Sequence, residues 1–127
     1  RSGPGFPLLR RWCTWSYIGR VTGGTDMTWV FQVTADGRRA YVVTTGSVPA
    51  LYEYDLVTRT SNRLCALRDI DPGFAGYDRH TGYNAWDKQG RFYFASFASA
   101  SSPLFGRANV RVTAIDPIRL KAALRAD

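Results

Sequence analysis

Residues 28–44, TWVFQVTADGRRAYVVT, decide the fold that we predict for this chain. Aromatic and β-branched residues fill both ends of this stretch, and residues 35–38 between them, ADGR, are typical of a tight turn. Gly37 suits such a turn because a two-residue hairpin requires positive φ angles, which glycine adopts without steric cost. The stretch therefore predicts two strands joined by a short turn.

The same pattern recurs at residues 83–96, YNAWDKQGRFYFAS. Its turn glycine, Gly90, aligns with Gly37 at an offset of 53 residues, and an arginine follows each glycine. A repeat of about 40 to 50 residues is typical of propellers and other arrays rather than of a single barrel.

A third apolar stretch follows each copy and ends in aspartate, at Asp55 in the first copy and at Asp116 in the second. These aspartates lie 61 residues apart, which is eight more than the turn glycines. The additional residues fall in 98–107, whose small and polar side chains predict an exposed loop between two strands.

The rest of the chain, up to about residue 116, has apolar residues with a period of two or in short blocks, which predicts an all-β protein. Pro117 stands at a helix-start position, and apolar residues follow it at helical spacing, so we expect a short C-terminal helix over 117–124. The predicted strands are 14–21, 28–33, 39–45, 50–56, 63–67, 83–87, 92–97 and 110–115.

Each copy of the repeat fits one antiparallel, four-stranded propeller blade, and the chain holds about two and a half blades. We expect residues 1–13 to form an extended arm, and residues 14–67 to form the outer strand of a preceding blade followed by the first full blade. Residues 68–127 then supply a connecting loop, the second blade and the C-terminal helix. Four side chains are expected to be buried in inner positions, namely Tyr41, Val42, Val43 and Phe94.

A ring of this kind closes with about four to eight blades, so one copy of the chain cannot complete it. We therefore expect an oligomer, in which other protein chains or further copies of this chain supply the remaining blades. The contact is expected at the strand 14–21 or at the second blade.

The composition of the chain limits the kinds of partner that it can bind. The chain has 127 residues, of which 45% are hydrophobic and 21% charged, and it contains no apolar run long enough to span a membrane. The protein is basic, with a net charge of +7, but its 15 arginines and two lysines are spread along the whole chain. Nucleic acid is an unlikely partner, because binding to phosphates needs clustered charge.

Two cysteines, Cys13 and Cys65, lie among apolar neighbours and lack the spacing of a zinc site. A buried free thiol is the commoner state, while a disulfide between them would imply an oxidising compartment. The first residue is Arg rather than Met, so we expect a processed chain or a portion of a longer one. The compartment is left open, and a secreted or periplasmic one is the alternative that we favour.

Residues 84–94, NAWDKQGRFYF, resemble the gluconolactonase and senescence-marker-protein family of six-bladed propellers. In that family an Asn opens a blade, and Asp, Gly-Arg and an aromatic strand follow. The resemblance implies a divalent metal, usually calcium, that sits in the central channel and polarises a lactone or an ester. It places Asn84 at the position of a metal ligand, while the other ligands of the family have no counterparts that we can place.

The loops that precede the two inner strands would lie at the mouth of the channel. They contain Asp26 and Asn84, whose oxygens suit calcium, and His80, the one imidazole in the chain and therefore the candidate general base. The alternative is structural, because Asp and Asn beside Gly commonly make hydrogen bonds within turns, and a lone His is commonly a surface or packing residue.

Two functions follow from these observations. The first is a non-enzymatic blade module that provides a binding or scaffold surface and completes its ring through other subunits or copies. The alternative is part of a metal-dependent propeller hydrolase, similar to a lactonase or esterase. We prefer the first function, because two and a half blades cannot supply a full ring of metal ligands; whether the chain is an enzyme stays open.

Overall fold

The computed structural model describes residues 28–46, 48–82, 85–107 and 109–126, and within them the chain is mostly sheet. Seven strands form one sheet, which curls into half a barrel and is accompanied by a C-terminal helix. The elements are β1 (Thr28–Val33), β2 (Arg39–Thr44), β3 (Ala50–Asp55), β4 (Thr60–Ala66), α1 (Leu67–Ile70), a 3₁₀ turn (Pro72–Phe74), β5 (Arg79–Gly82), β6 (Phe92–Phe97), β7 (Arg111–Ile115) and α2 (Pro117–Ala126).

The strands follow the order β4-β3-β2-β1-β5-β6-β7 across the sheet. Neighbouring strands are antiparallel except at the centre, where β1 and β5 run parallel. The sheet is therefore mixed, and our prediction of purely antiparallel strands is wrong at this pair. The physical reason is that the two meanders, β1 to β4 and β5 to β7, meet along their first strands, and both of these strands run in the same direction.

Most strand predictions are confirmed. The bounds of β1 and β6 are those predicted, β2, β3 and β7 differ by one residue, and β4 begins three residues earlier than predicted. The C-terminal helix is confirmed and extends two residues further, to Ala126. The predicted arm 1–13 and the predicted strand 14–21 lie outside the described residues.

The strand predicted at 83–87 is wrong in its position. Trp86 makes a single bridge to Phe92, and the strand of this region is β5, which ends before Trp86. Asp87, the last residue of the predicted strand, belongs to the turn instead, because its Oδ1 atom accepts hydrogen bonds from the backbone N–H groups of Gln89 and Arg91, at 2.8 and 2.9 Å. These bonds close a turn at the position where we had predicted the end of a strand.

The two turns of the sequence repeat have the same geometry. Gly37 and Gly90 have φ angles of 71° and 82°, in the left-handed region that glycine adopts most readily. The N–H of Gly37 donates to the carbonyl of Thr34 at 2.9 Å, and the N–H of Gly90 donates to the carbonyl of Asp87 at 3.2 Å. The repeat that we identified in the sequence is thus also a repeat of local structure.

Equivalent residues of the two copies also contact each other. The backbone N–H of Ala85 donates to Oε1 of Gln32 at 3.1 Å, and Nε1 of Trp86 donates to the carbonyl of Val33 at 2.8 Å. Both contacts join residues that are 53 positions apart, which is the offset between the turn glycines. These two hydrogen bonds therefore join corresponding positions of the repeat beside the parallel centre of the sheet.

The core spans both meanders. Tyr41 of β2 lies with its ring 5.9 Å from the ring of Phe92 and 6.2 Å from that of Trp86. Leu120 of α2 packs against the same cluster. The predicted burial of Tyr41, Val42, Val43 and Phe94 is confirmed, since each of these side chains is at most 2% exposed.

Neither helix of the described residues is long and apolar enough to cross a membrane, in agreement with the prediction from composition.

Candidate functional site

A cavity of about 530 Å³ lies at the end of the sheet where β2 and β6 finish and where β3 and β5 begin. This volume falls within the range of small-molecule sites, about 300 to 1,000 Å³. Its walls come from the β2–β3 connection, from α1 and the chain that follows it, and from the loop 98–107. The lining residues are Gly46, Val48, Pro49, Leu67, Arg68, Phe74, Ala75, Gly76, Tyr77, Asp78, Arg79, Ser101, Ser102 and Pro103.

Backbone hydrogen bonds hold the walls together on one side. The N–H of Gly46 donates to the carbonyl of Asp78 at 3.0 Å, which fixes the β2–β3 connection to the start of β5. The N–H of Leu67 donates to the carbonyl of Pro49 at 2.9 Å, which fixes the same connection to α1. The cavity is therefore preformed rather than dependent on a ligand for its shape.

Side chains hold the loop 98–107 in the same way. The Oγ atom of Ser102 donates to the carbonyl of Gly76, and the carboxylate of Asp78 accepts from both the backbone N–H and the hydroxyl of Ser99. Burial alone would raise the pKa of Asp78, but the hydrogen bonds from Ser99 outweigh it and hold this pKa below its usual value. The loop is mostly exposed, as predicted, and Ser102 is its buried anchor.

The cavity combines an apolar floor with cationic side chains. Leu67 and Phe74 are almost fully buried, and Val48, at 48% exposure, stands at the opening. Arg68 and Arg79 contribute two guanidinium groups to the lining, against the single carboxylate of Asp78. Such a lining suits a ligand with an apolar body and a negative charge.

The candidate general base, His80, lies in β5 and not in a loop as we had predicted. Its side chain is fully buried, with the rings of Phe74 and Phe94 packed edge-on at 6.4 and 5.9 Å. Nδ1 shares a hydrogen bond of 2.7 Å with Oγ of Ser96, whereas Nε2 has no hydrogen-bond partner within the described part of the chain. Burial lowers the pKa of His80 to about 4, so the ring is neutral near pH 7.

The His80–Ser96 pair has the geometry of a base beside a hydroxyl group, but neither side chain has exposed surface. Both side chains are packed in the interior of the protein. The role of His80 as a general base stays a prediction.

The two predicted metal ligands, Asp26 and Asn84, lie outside the described residues, so the calcium site also stays a prediction. Within residues 28–46, 48–82, 85–107 and 109–126, no three His, Cys, Asp or Glu side chains are grouped so that they could hold a metal ion.

Cys65 is a buried free thiol, which is the commoner of the two states that the sequence allowed. Burial raises its pKa, because an apolar environment disfavours the thiolate. Cys13 lies outside the described residues.

A second surface of interest is the outer part of the second meander. In the described ranges β7 pairs with β6 alone, so one edge of β7 is open. The face of the sheet opposite the core carries Tyr93 of β6 and Val112 of β7, which are 37% and 74% exposed, and Phe31 of the neighbouring β1, which is 47% exposed.

The sequence indicates some of the segments that line the cavity, but it does not indicate that they lie together. The polar segment before the second inner strand and the loop 98–107 were both singled out, but α1 was not predicted. A four-residue helix is too short for a periodic signal, and the contacts of loops from distant parts of the chain have no signature in a single sequence.

Comparisons with known protein families, with curated proteins and with solved structures found no significant match. The resemblance to the gluconolactonase family therefore stays a prediction.

Proposed function

We propose that this chain is a propeller-blade module that binds other protein, and that it completes its ring through further copies of itself or through other chains. The enzymatic alternative has no supporting observation in the described residues, since its candidate ligands lie outside them.

The contacts between equivalent residues support the blade interpretation. A rotation that relates neighbouring blades places their inner strands side by side in the same direction, with corresponding residues adjacent. The pair of β1 and β5 has the same direction, with a register one residue short of the repeat, and the hydrogen bonds of Gln32 with Ala85 and of Trp86 with Val33 join corresponding residues.

The strand count indicates where a partner would dock. From the centre of the sheet outwards, the first meander has four strands, β1 to β4, whereas the second has three, β5 to β7. If both meanders are blades, the position of a fourth strand beside β7 is available to a partner. A strand added from another chain would pair with the backbone of β7, a recognised mode of association.

The observation that carries the binding proposal is the exposed apolar surface beside this edge. Val112 is 74% exposed on the edge strand itself, and Tyr93 of the neighbouring strand extends the surface inwards. Exposed apolar side chains beside an open strand edge are a feature of surfaces that bind other protein. The strand predicted at 14–21, as the outer strand of a preceding blade, is the segment that a further copy would supply.

The native mass of the full chain tests this proposal. We expect light scattering at micromolar concentration to show an assembly of two or more copies, and Val112→Asp to shift it to the monomer because a charge would be buried in the contact. Val57→Asp is the matched control, since Val57 is 66% exposed but lies in the turn between β3 and β4.

The circular dichroism spectra of both variants should equal that of the wild type. A compact wild-type monomer, or equal loss of assembly in both variants, would refute self-association through β7.

A further inference from the structure

The cavity at the end of the sheet has no part in the proposed contact at β7. Buried apolar side chains form its floor, and two arginine side chains give its lining positive charge.

The floor is apolar and rigid. Leu67 has no exposed surface, and the ring of Phe74, 3% exposed, stacks on Phe94 at 6.2 Å and lies 4.6 Å from the guanidinium carbon of Arg111. These contacts leave the floor little freedom to move. An apolar group that enters the cavity gains burial without disturbing the core.

The two arginines of the lining have unused donors. The guanidinium of Arg79 makes one long contact, 3.5 Å, with the carbonyl of the adjacent residue Asp78. The side chain of Arg68 makes no hydrogen bond or ion pair with any residue of the described ranges. A guanidinium group presents five N–H donors that match a carboxylate in a bidentate geometry.

The nearby carboxylates already have partners. Asp78 accepts two hydrogen bonds from Ser99, Asp69 accepts from the backbone N–H of Ala66 at 3.1 Å, and Asp71 pairs with Arg111 at 2.6 Å. These interactions occupy the acidic side chains, whereas the side chains of Arg68 and Arg79 keep N–H donors that can bind an anion.

We propose that the cavity binds a small organic carboxylate, whose apolar body packs on the apolar lining around Val48 and Pro49, above the buried floor, and whose carboxylate group is held by Arg68 and Arg79. The site belongs to the chain itself and does not depend on assembly.

Calorimetric titration of octanoate into the full chain is the test, with octanol and octyltrimethylammonium as uncharged and cationic ligands of similar length. We expect saturable binding of octanoate, and at least tenfold weaker binding of the other two. Arg79→Gln should weaken octanoate binding about tenfold, because hydrogen bonds to a charged group are among the stronger ones. Arg68→Gln should act in the same direction.

Arg119→Gln is the matched control. Arg119 is exposed on α2, so this substitution removes the same charge at a position away from the cavity. Its octanoate affinity should equal that of the wild type. A second pair of substitutions tests the location of the site by adding a negative charge. Val48→Glu at the opening should weaken octanoate binding severalfold, and Val57→Glu in the distant turn should leave it unchanged.

Three results would overturn the proposal: no saturable binding of octanoate, equal affinity for octanol, or equal weakening by Arg119→Gln and Arg79→Gln. Thermal unfolding of each variant shows that it is folded, and all substituted side chains lie at the surface or at the opening of the cavity. The native mass should not change in Arg79→Gln, which separates this test from that of assembly.

Discussion

The imidazole of His80 is fully buried in this protein. A buried imidazole between two phenylalanine rings, with one nitrogen bonded to Ser96 and the other without a partner in the described residues, is costly to protonate. The resulting low pKa, about 4, has a consequence for stability that can be measured.

We predict that stability falls between pH 7 and pH 5 through His80. In the unfolded chain a histidine has a pKa of about 6.5 and binds a proton in this range, whereas folded His80, with a pKa of about 4, does not. The contribution of His80 is therefore fully present above about pH 6.5 and is lost as the pH falls towards 4. Urea unfolding at pH 7 and at pH 5 should differ by about 2 kcal/mol.

The variant His80→Asn isolates this effect. Asparagine keeps a polar group near the hydroxyl of Ser96 but does not titrate, so the difference between the two pH values should largely disappear even though the variant is less stable at both. The carboxylates contribute mainly below about pH 5, where their unfolded-state pKa values lie. An unchanged difference in His80→Asn would contradict the prediction.

Sequence patterns predicted the burial of single residues well where alternation was strong. Tyr41 and Phe94 stand in runs of aromatic and β-branched residues, so the sequence alone indicated their burial. His80 stands in the sequence Arg-His-Thr-Gly, which has no apolar run, and its strand exists because β1 and β6 pair with it on either side. Such pairing is a property of the fold and not of the local sequence.

At the scale of elements, α2 is attached to the sheet by charge as well as by apolar contact. Glu53 of β3 accepts hydrogen bonds of 2.6 Å from Nζ of Lys121 and from the hydroxyl of Tyr41. Burial opposes the ionisation of Glu53, but these two donors prevail and lower its pKa. Tyr41 shows the converse effect, because burial and the adjacent carboxylate both raise its pKa.

We predict that Glu53 and Lys121 are energetically coupled. Glu53→Gln and Lys121→Gln should each lower the free energy of unfolding by about 1 kcal/mol, and the double variant should lose clearly less than the sum. Urea unfolding of the four proteins gives the coupling. Arg125→Gln, at an exposed position of α2, is the control and should leave the free energy of unfolding within about 0.5 kcal/mol of the wild type. If the effects of Glu53→Gln and Lys121→Gln were strictly additive, the two residues would not be coupled.

Elements with long periodic patterns were predicted from the sequence, and short ones were not. β1, β6 and α2 follow from alternation or from helical spacing. The single turn α1 is stabilised instead by the burial of Leu67 and by the carboxylate of Asp69, which accepts from the N–H of Ala66. Both of these depend on tertiary position, so the sequence predicted only a connecting loop from residue 68.

At the scale of the whole molecule, the two meanders share one core, and we predict that they unfold together. Trp86 joins them through its ring contacts with Tyr41 and Phe92 and through its hydrogen bond to Val33. Calorimetry should therefore show a single transition with equal calorimetric and van't Hoff enthalpies. Two separate transitions would contradict this prediction.

Two variants at Trp86 separate the contribution of its hydrogen bond to stability from that of its ring packing. Trp86→Phe removes the hydrogen bond to Val33 and should cost about 1 kcal/mol, whereas Trp86→Ala also opens a cavity and should cost about 3 kcal/mol. In both variants the transition should stay single.

The repeat could be recognised from the sequence, but its arrangement could not. Gly37 and Gly90 gave the offset of 53 residues, which the structure shows again in the pair Val33 and Trp86. Whether the two meanders stay separate or join through a hydrogen-bonded centre depends on the few backbone contacts between β1 and β5. The local patterns of the two copies are compatible with either arrangement.

The parallel pair at the centre of the sheet also determines the order in which the strands pair during folding. Every antiparallel pair joins strands that follow each other along the chain, while β1 must wait for β5, which begins at Arg79. Closing a longer loop costs more chain entropy, so the meanders should form first and their centre last. On a ribosome, the first four strands are complete while β1 still has an open edge, and the nearest β5 can then belong to a neighbouring nascent chain. We therefore expect exchange of whole meanders between chains, known as domain swapping, to be the characteristic error of its synthesis.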